Sequence, residues 1–364
     1  MTLDPGLASW LQLTLTPGLG AASIRELLKQ FGLPENILAR PRAELARLVP
    51  RAALSALDSA EVSRAVALAL DWVQNSEHAV VTLADDAYPR LLLEIADPPP
   101  LLYACGRLEL LRRPSLAIVG SRNATAQGER NAESFAKAFS EAGLCIVSGL
   151  ALGIDSAAHR GGLAGVGSTI AVLGTGIDVV YPSRNAALAT EIARNGLLLS
   201  EFPLASMAAA HNFPRRNRLI SGLAHGCLVI EAALASGSLI TARAAAEQGR
   251  EVFAVPGSIH SPLSKGCHAL IKTGAKLVES AEDVLAELSG FRPTAYASTT
   301  SAQSPAPSPE REGLLVHMGF DPVDVDSLCA RAGLTADQVS SELLRLELAG
   351  RVAALPGGFY QRLN

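Results

Sequence analysis

Aromatic residues make up only 4% of the 364 positions, and two of them are tryptophans. A core must therefore be built from aliphatic side chains, and alanine and leucine are plentiful. Cysteine is scarce too. Cys105, Cys145, Cys227, Cys267 and Cys329 lie singly, with no C-x-x-C pair. An odd, scattered set excludes a disulfide framework and a zinc-ligand spacing, and predicts a reducing, cytoplasmic setting. No run approaches the ~18 apolar residues of a membrane span. The opening "MTLDPGLASW" lacks the basic start and apolar run of a signal peptide. A strong charge excess is also missing: 31 Lys and Arg stand against 35 Asp and Glu, a formal net charge of -4. That excludes a broadly basic coat for nucleic acid, while leaving room for a local basic site. There is no Walker lysine motif, and no G-x-G-x-x-G follows the first strand of the central region, so no dinucleotide cofactor is expected. His159, His211, His225 and His260 are isolated from one another. No metal site and no catalytic constellation is read, although Asp155 and Glu231 near strand ends could each serve as a base, a cap or an arginine partner.

What is present is a long alternation. From Leu116, short apolar runs ("LAIVGSR", "LCIVSGLA", "STIAVLGTG", "GLLLSEF", "GCLVIEA", "EVFAVPG") alternate with helical segments. Such alternation predicts βαβ units and a mainly parallel sheet covered on both faces, an α/β, extended Rossmann-like doubly wound fold. Residues 1–75 are helical in pattern, with a glycine turn at Pro17 to Gly20. One copy of such a turn is expected to contribute little to ligand affinity. Residues 80–110 read as an extended lead-in strand and a loop around Pro98-Pro99-Pro100. Residues 76–290 form the Rossmann-like domain. The Ser-, Thr-, Ala- and Pro-rich stretch 291–310 reads as a flexible linker. Residues 311–364 show the helix, turn, helix and hairpin of a winged helix. Its second helix, "TADQVSSELLRLELAG", carries Asp337, Glu342 and Glu347 against Arg345 alone, a poor surface for duplex DNA, and its leucines 343, 344, 346 and 348 are expected mostly to pack the core.

In doubly wound sheets, ligands bind beyond the carboxyl ends of the strands. The loops there carry Gly120, Ser121 and Arg122, then Ser148 and Gly149, then Arg184 and Asn185. Ser236, Gly237 and Ser238 stand before a helix, and Lys265 follows the last strand. Between them lies "NFPRRNRLISGLAHG", with Phe213, Arg215, Arg216, Asn217 and Arg218. If Pro214 sits in the first helical turn, three arginines crowd a positive helix end, a conflict that a bound phosphate would remove. On a helical wheel Arg218 reaches solvent, whereas Arg216 leans toward the apolar side as a partial scaffold. Tyr181, Phe202 and Phe213 are the local candidates for base stacking, worth about 1–3 kcal/mol per base.

In this order, "IVGSR", "SGLALGIDSAAHR", "GTGIDVVYP", "SEFP", "NFPRRNRLISGLA", "SGSLITA" and "KGCHALIKTGA" resemble the DNA-processing protein A family (DprA, or Smf) across roughly residues 80–290. The first 75 residues resemble its helical SAM-like or helix-hairpin-helix domain, and the tail its winged helix. The resemblance implies a cytoplasmic, non-enzymatic protein that binds single-stranded DNA and loads the RecA recombinase during natural transformation. It further implies a homodimer through the Rossmann domain and a phosphate pocket at Gly120, Ser121, Arg122, Arg184, Asn185, Arg216, Asn217 and Arg218, with Lys265 on the rim. Leu152 and His268 depart from the family pattern, which often has a basic residue and usually has Asn there. Two other readings compete. A nucleotide phosphoribohydrolase-like enzyme on a related Rossmann fold would carry P-G-G-x-G-T-x-x-E, but here Ala242 and Arg243 follow Thr241, and Glu247 comes too late. An architectural adaptor would keep the basic pocket without using it.

Overall fold

The computed structural model describes residues 6–288 and 313–363. The 291–310 linker lies outside the described residues.

Nine strands form the central sheet: β1 (His78–Thr82), β2 (Leu101–Gly106), β3 (Ser115–Gly120), β4 (Cys145–Ser148), β5 (Thr169–Val172), β6 (Leu197–Ser200), β7 (Gly226–Ile230), β8 (Glu251–Ala254) and β9 (Lys276–Leu277). Their order is β1-β2-β6-β5-β4-β3-β7-β8-β9. From β6 to β9 every neighbour is parallel, while β1–β2 and β2–β6 are antiparallel. The parallel strands are legible because helices cover both faces, so Leu116, Ile118, Val147, Ile170 and Leu228 are all buried whichever way they point. The lead-in strand and loop expected over 80–110 are instead an antiparallel pair that lengthens the sheet beyond β6. Chain order runs outward from β3 to β6 and then returns to β7 beside β3, so the β3/β7 boundary is the topological switch point.

Six helices between Leu7 and Trp72 precede β1. Leu13, Leu19, Ile24, Leu27 and Ile37 make a small core of their own. Leu7, Trp10 and Leu11 pack instead with Tyr103 of β2 against the sheet. Among the described residues, no helix is long and apolar enough to cross a membrane.

The tail is a winged helix. Helices Val325–Ala332 and Ala336–Leu348 meet at Gly333, whose φ of 68° is the left-handed turn glycine permits. Thr335 and Gln338 form a reciprocal capping box at the start of the second helix. Three short strands, β10 (Val323–Asp324), β11 (Val352–Leu355) and β12 (Phe359–Arg362), complete it in the order β10-β12-β11. One expectation fails here. Leu343 and Leu346 are buried with Val339, but Leu344 and Leu348 are exposed, since a helix lying on so small a core buries one stripe only. Arg130, on the helix after β3, donates to the Gly350 carbonyl at 2.5 Å, which ties the wing's helix end to the sheet domain.

Candidate functional site

At the switch point a cleft of about 530 Å³ opens beyond the strand ends. Gly120, Ser121 and Arg122 leave β3 on one wall. Arg216 and Asn217 come from the Asn212–Gly222 helix, and Ser236, Gly237 and Ser238 close the opposite wall. The cleft also holds Asn123, Ala151, Asp155 and Thr241, of which only Asp155 stood out in the sequence. Gly120 is there for close approach: a Cβ would meet the Ile230 carbonyl oxygen at 1.9 Å. Helix Ser238–Glu247 starts at the cleft with Gly237 as its N-cap. Its first N–H groups are held locally, Ser238 by Ser236 Oγ at 3.3 Å and Leu239 by the Ser236 carbonyl at 3.1 Å, so this wall offers the helix dipole and the Ser236 and Ser238 hydroxyls.

Arg122 is exposed at the mouth. Among the described residues it has no ion pair or hydrogen bond, and its guanidinium lies 5.7 Å from the centre of the Phe213 ring. Phe213 has Arg216 on it at 6.0 Å and Tyr181 tilted against it at 5.6 Å. These residues, with Gly149, line a small shoulder pocket beside the cleft. Tyr181 is half exposed and free to stack. Phe202 is buried and is not.

Arg216 is the floor. It is 4% exposed, and its Nη1 donates to the carbonyls of Gly149, at 2.6 Å, and Val172. Gly149 admits it, since a Cβ there would stand 2.7 Å from the guanidinium. Burial pulls Arg216 down to about 10, with Asp155 opposing, so it remains a cation at neutral pH. Asp155 accepts from the Gly149 and Ala151 N–H groups at 3.1 and 3.3 Å. Burial raises its carboxyl above the ordinary value, and the Arg216 charge opposes the rise. Asp155 therefore acts as the structural partner of an arginine.

The three arginines of the 215–218 run do not share a task. The helix begins at Asn212, two residues before the expected start, so Arg215 is its fourth residue and Arg218 its seventh. The dipole conflict is thereby relieved, because that field fades within the first turn. Arg218 does not reach solvent: its side chain is 16% exposed, paired with Glu201 and with Asp97. Arg215 lies 3.2 Å from the other Glu201 oxygen. Two of the three thus hold carboxylates, away from the cleft. Asn185 is not open to a ligand either, because its amide donates to Leu150 and Ala151 carbonyls and to Ser156 Oγ. Arg184 and Lys265 are exposed but line neither pocket. Glu231 accepts from Thr125 N–H and Oγ1, and Thr125 in turn caps the helix after β3 by accepting from the Gly128 N–H at 2.9 Å. At the departures from the family pattern, Leu152 lines the shoulder pocket and His268 bonds the Gly257 carbonyl at 3.0 Å. Sequence reasoning missed Glu201 as a partner, although "SEFP" placed an acid at a strand end on this same edge.

A buried polar chain fixes the cleft floor from behind. Thr169 Oγ1 donates to the Ile146 carbonyl, so it accepts from His159 Nδ1–H at 2.8 Å, and His159 Nε2 accepts the Leu150 N–H at 3.2 Å. Burial, then the Arg216 charge, push His159 down to about 3. An unfolded histidine titrates near ~6.5. The stabilisation from this neutral ring is therefore complete above pH ~6.5 and is lost as pH falls from there toward 3. Wild-type stability should drop by up to about 1.4 kcal/mol more per pH unit than that of His159→Gln between pH ~6 and ~4. Urea midpoints across that window measure it, and parallel profiles for the two proteins would refute it.

Fold and cleft together define a Rossmann-like protein with a polar crevice at the switch point of its sheet. The chain belongs to the DNA recombination-mediator protein A family: residues 79–289 match that family, and residues 298–358 match the DprA winged helix domain. Protein Smf of Synechocystis is 35% identical over 397 residues, covering 98% of each chain. Protein Smf of Escherichia coli is 44% identical over 304 residues, covering 81% of this chain and 80% of its own. The X-ray structure of DNA processing protein A from Streptococcus pneumoniae matches with a TM-score of 0.68 at 40% identity, covering 79% of this chain and 99% of that one. A solved structure of DNA processing protein A from Helicobacter pylori, described for its single-stranded DNA binding mode, matches with a TM-score of 0.53 at 32% identity, covering 57% of this chain and 95% of that one.

Proposed function

We propose that this chain binds single-stranded DNA, without sequence preference, by its backbone phosphates in the switch-point cleft. The observation that carries the reading is Arg122, which among the described residues has no ion pair or hydrogen bond and lines the same polar crevice as Ser121, Asn217, Ser236 and Ser238. Gly120, Ser121, Asn217, Ser236, Gly237 and Ser238 offer donors or close backbone approach, Arg216 supplies charge from beneath, and Tyr181 with Phe213 gives bases a ring to stack on. Arg184 and Lys265, exposed and outside both pockets, are the further cations that the family resemblance assigns to the strand's path. Gly149 and Asn185 shape the floor. The single-stranded DNA binding mode of the Helicobacter pylori protein supports the choice of a single strand. Family membership supports the finer reading: a cytoplasmic homodimer, joined through the Rossmann-like domain, that protects incoming strands and loads RecA during natural transformation and recombination.

No reaction is assigned. A phosphoribohydrolase needs its motif glutamate at the cleft, but Glu247 closes the far end of the helix that starts there, about 14 Å away at ~1.5 Å per residue. The test is a salt titration of oligothymidylate binding beside a duplex of equal length. The single strand should bind tighter, with log affinity falling linearly in log salt. Equal duplex affinity, or no salt dependence, would defeat the reading.

A further inference from the structure

The winged helix closes a core of its own around Leu315, Leu328, Val339, Leu343, Leu346 and Val352, and none of the described sheet-domain residues joins it. Where the two domains meet, packing is open. A hollow of about 690 Å³ lies between them, and Phe320 on its winged-helix side is 60% exposed. The contacts that hold them are polar and come from the helix after β3, Ala126–Glu141. Arg130 donates to the Gly350 carbonyl, which stands just past helix Ala336–Leu348. That is the negative end of the helix, where a guanidinium is favoured. Gln127, with its amide turned to donate, reaches the Arg362 and Leu363 carbonyls at 3.2 Å each. An interface with so little shared apolar surface is one that opens.

Its position gives the opening a consequence. The cleft sits at the β3/β7 boundary, and the hollow one strand further on, lined by Glu231 at the end of β7 and by Val255 and Pro256 after β8. The two are back to back. The Glu231 carbonyl accepts the Ser121 N–H at 2.7 Å, and Leu263 lines the cleft while its neighbours Pro262 and Ser264 line the hollow. Adjacent strands are only ~4.8 Å apart. A nucleic-acid strand that runs from the cleft along this edge toward β8 therefore comes directly upon the docked winged helix. The wall it meets repels it. Among the described residues no Lys or Arg lines the hollow, whereas Glu231 and the exposed Asp321 of the winged helix do. Arg130 is spent on the Gly350 carbonyl. Undocking takes Asp321 away and uncovers Arg130. Its helix neighbours Glu129 and Glu133 are already held by Arg160, so the uncovered guanidinium is open to a phosphate.

We propose that the docked winged helix is a self-inhibitory cover on the strand's way out of the cleft. Docked, it keeps Asp321 on that path and Arg130 out of use. A strand long enough to run past the cleft displaces it and sets a backbone phosphate against Arg130. Displacement follows from differential affinity, since the long strand gains this contact only in the undocked state. The proposal rests on the cleft reading above.

The test uses the full chain and oligothymidylates of graded length, with Gln127→Ala/Asp321→Asn as the principal variant. Both positions are on the surface of the contact, so the fold stays intact, docking is loosened, and no cation is altered. Short oligomers that fill only the cleft should bind wild type and variant alike. Long ones should bind the variant roughly tenfold more tightly. Adding Arg130→Ala should abolish that gain and make the salt slope shallower by about one. Nitrogen-15 relaxation reports the cover itself. The amides of helix Ala336–Leu348 should tumble with the whole chain in free wild type, and as a small tethered domain once a long oligomer is bound. Equal long-oligomer affinity of wild type and variant would overturn the proposal. So would tighter binding with a winged helix that stays docked, which is a charge effect without a cover. Failure of the cleft reading is separate: Arg122→Glu would then bind short oligomers normally, while relaxation without DNA would still show looser docking in Gln127→Ala/Asp321→Asn.

Discussion

Arg122→Glu should leave the fold intact and lower single-strand affinity on the order of a hundredfold. The side chain is exposed and, among the described residues, makes no hydrogen bond or ion pair and lies over the Phe213 ring, so its loss should cost no more than about 0.5 kcal/mol of stability. Binding is another matter. One charge-assisted phosphate contact is lost, worth about 1.5 kcal/mol or more, and a like charge of comparable effect faces the strand in its place. The sum is about 3 kcal/mol, or two decades. Because phosphates rather than bases are read, oligothymidylate and mixed sequences should weaken alike, and the salt slope should flatten by about one or two. Arg218→Glu is the contrast. Its guanidinium is held by Glu201 and Asp97, so reversal there should damage stability first, by setting three acids together. Equal affinity of wild type and Arg122→Glu in filter binding at low salt would remove the cleft from consideration.

The parallel strands could be read from the sequence because double-sided burial turns each into a short unbroken apolar run, Ser115–Gly120 and Cys145–Ser148 among them. The cleft was legible for a related reason: a doubly wound sheet sends every strand-end loop to one edge, so Ser121, Asn217 and Ser236 had to be near neighbours. Side-chain pairing between distant segments was not legible. Arg215 and Arg218 looked like one basic patch with Arg216. Only the fold brings Glu201, from the end of β6, and Asp97, from the loop before β2, against two of them. Helical phase mattered as well. A start at Asn212 instead of Pro214 carries the arginines past the first turn and removes the strain that had singled them out. The β1–β2 pair was hidden because an antiparallel edge pair beside a proline run lacks the continuous apolar signature of the inner strands. Asn185 was misread because an exposed-looking loop asparagine gives no hint that its amide will be spent on backbone carbonyls.

Arg216→Met should be the most destabilising single change in the cleft, at about 3–5 kcal/mol. Methionine replaces the packing volume but none of the donors. It leaves the Gly149 and Val172 carbonyls without their charged partner, and leaves Asp155 buried without the cation that faces it. The stranded carboxylate is the larger part, which makes the effect depend on pH. Burial already raises Asp155, and removing Arg216 raises it further, because the Arg216 charge is what opposes the rise. A group with a raised folded pKa is best accommodated protonated, below its unfolded value near ~3.9, and that accommodation is lost as pH rises through the folded value. The gap between wild type and Arg216→Met should therefore be narrow near pH ~4 and widen toward neutrality. His159 destabilises both proteins in acid, but less in Arg216→Met, where the charge that helps hold it down is gone, so the gap is followed in a His159→Gln background to isolate the Asp155 part. Asp155→Asn in the Arg216→Met background should recover part of the loss, since a neutral amide needs no cation, and the double-mutant cycle should show coupling of about 0.5–3 kcal/mol. Urea unfolding followed by the fluorescence of Trp10 and Trp72 measures all four proteins. A gap that stays constant with pH, or additive effects of the two substitutions, would show that Asp155 and Arg216 act independently and that the floor of the cleft is held by hydrogen bonds alone.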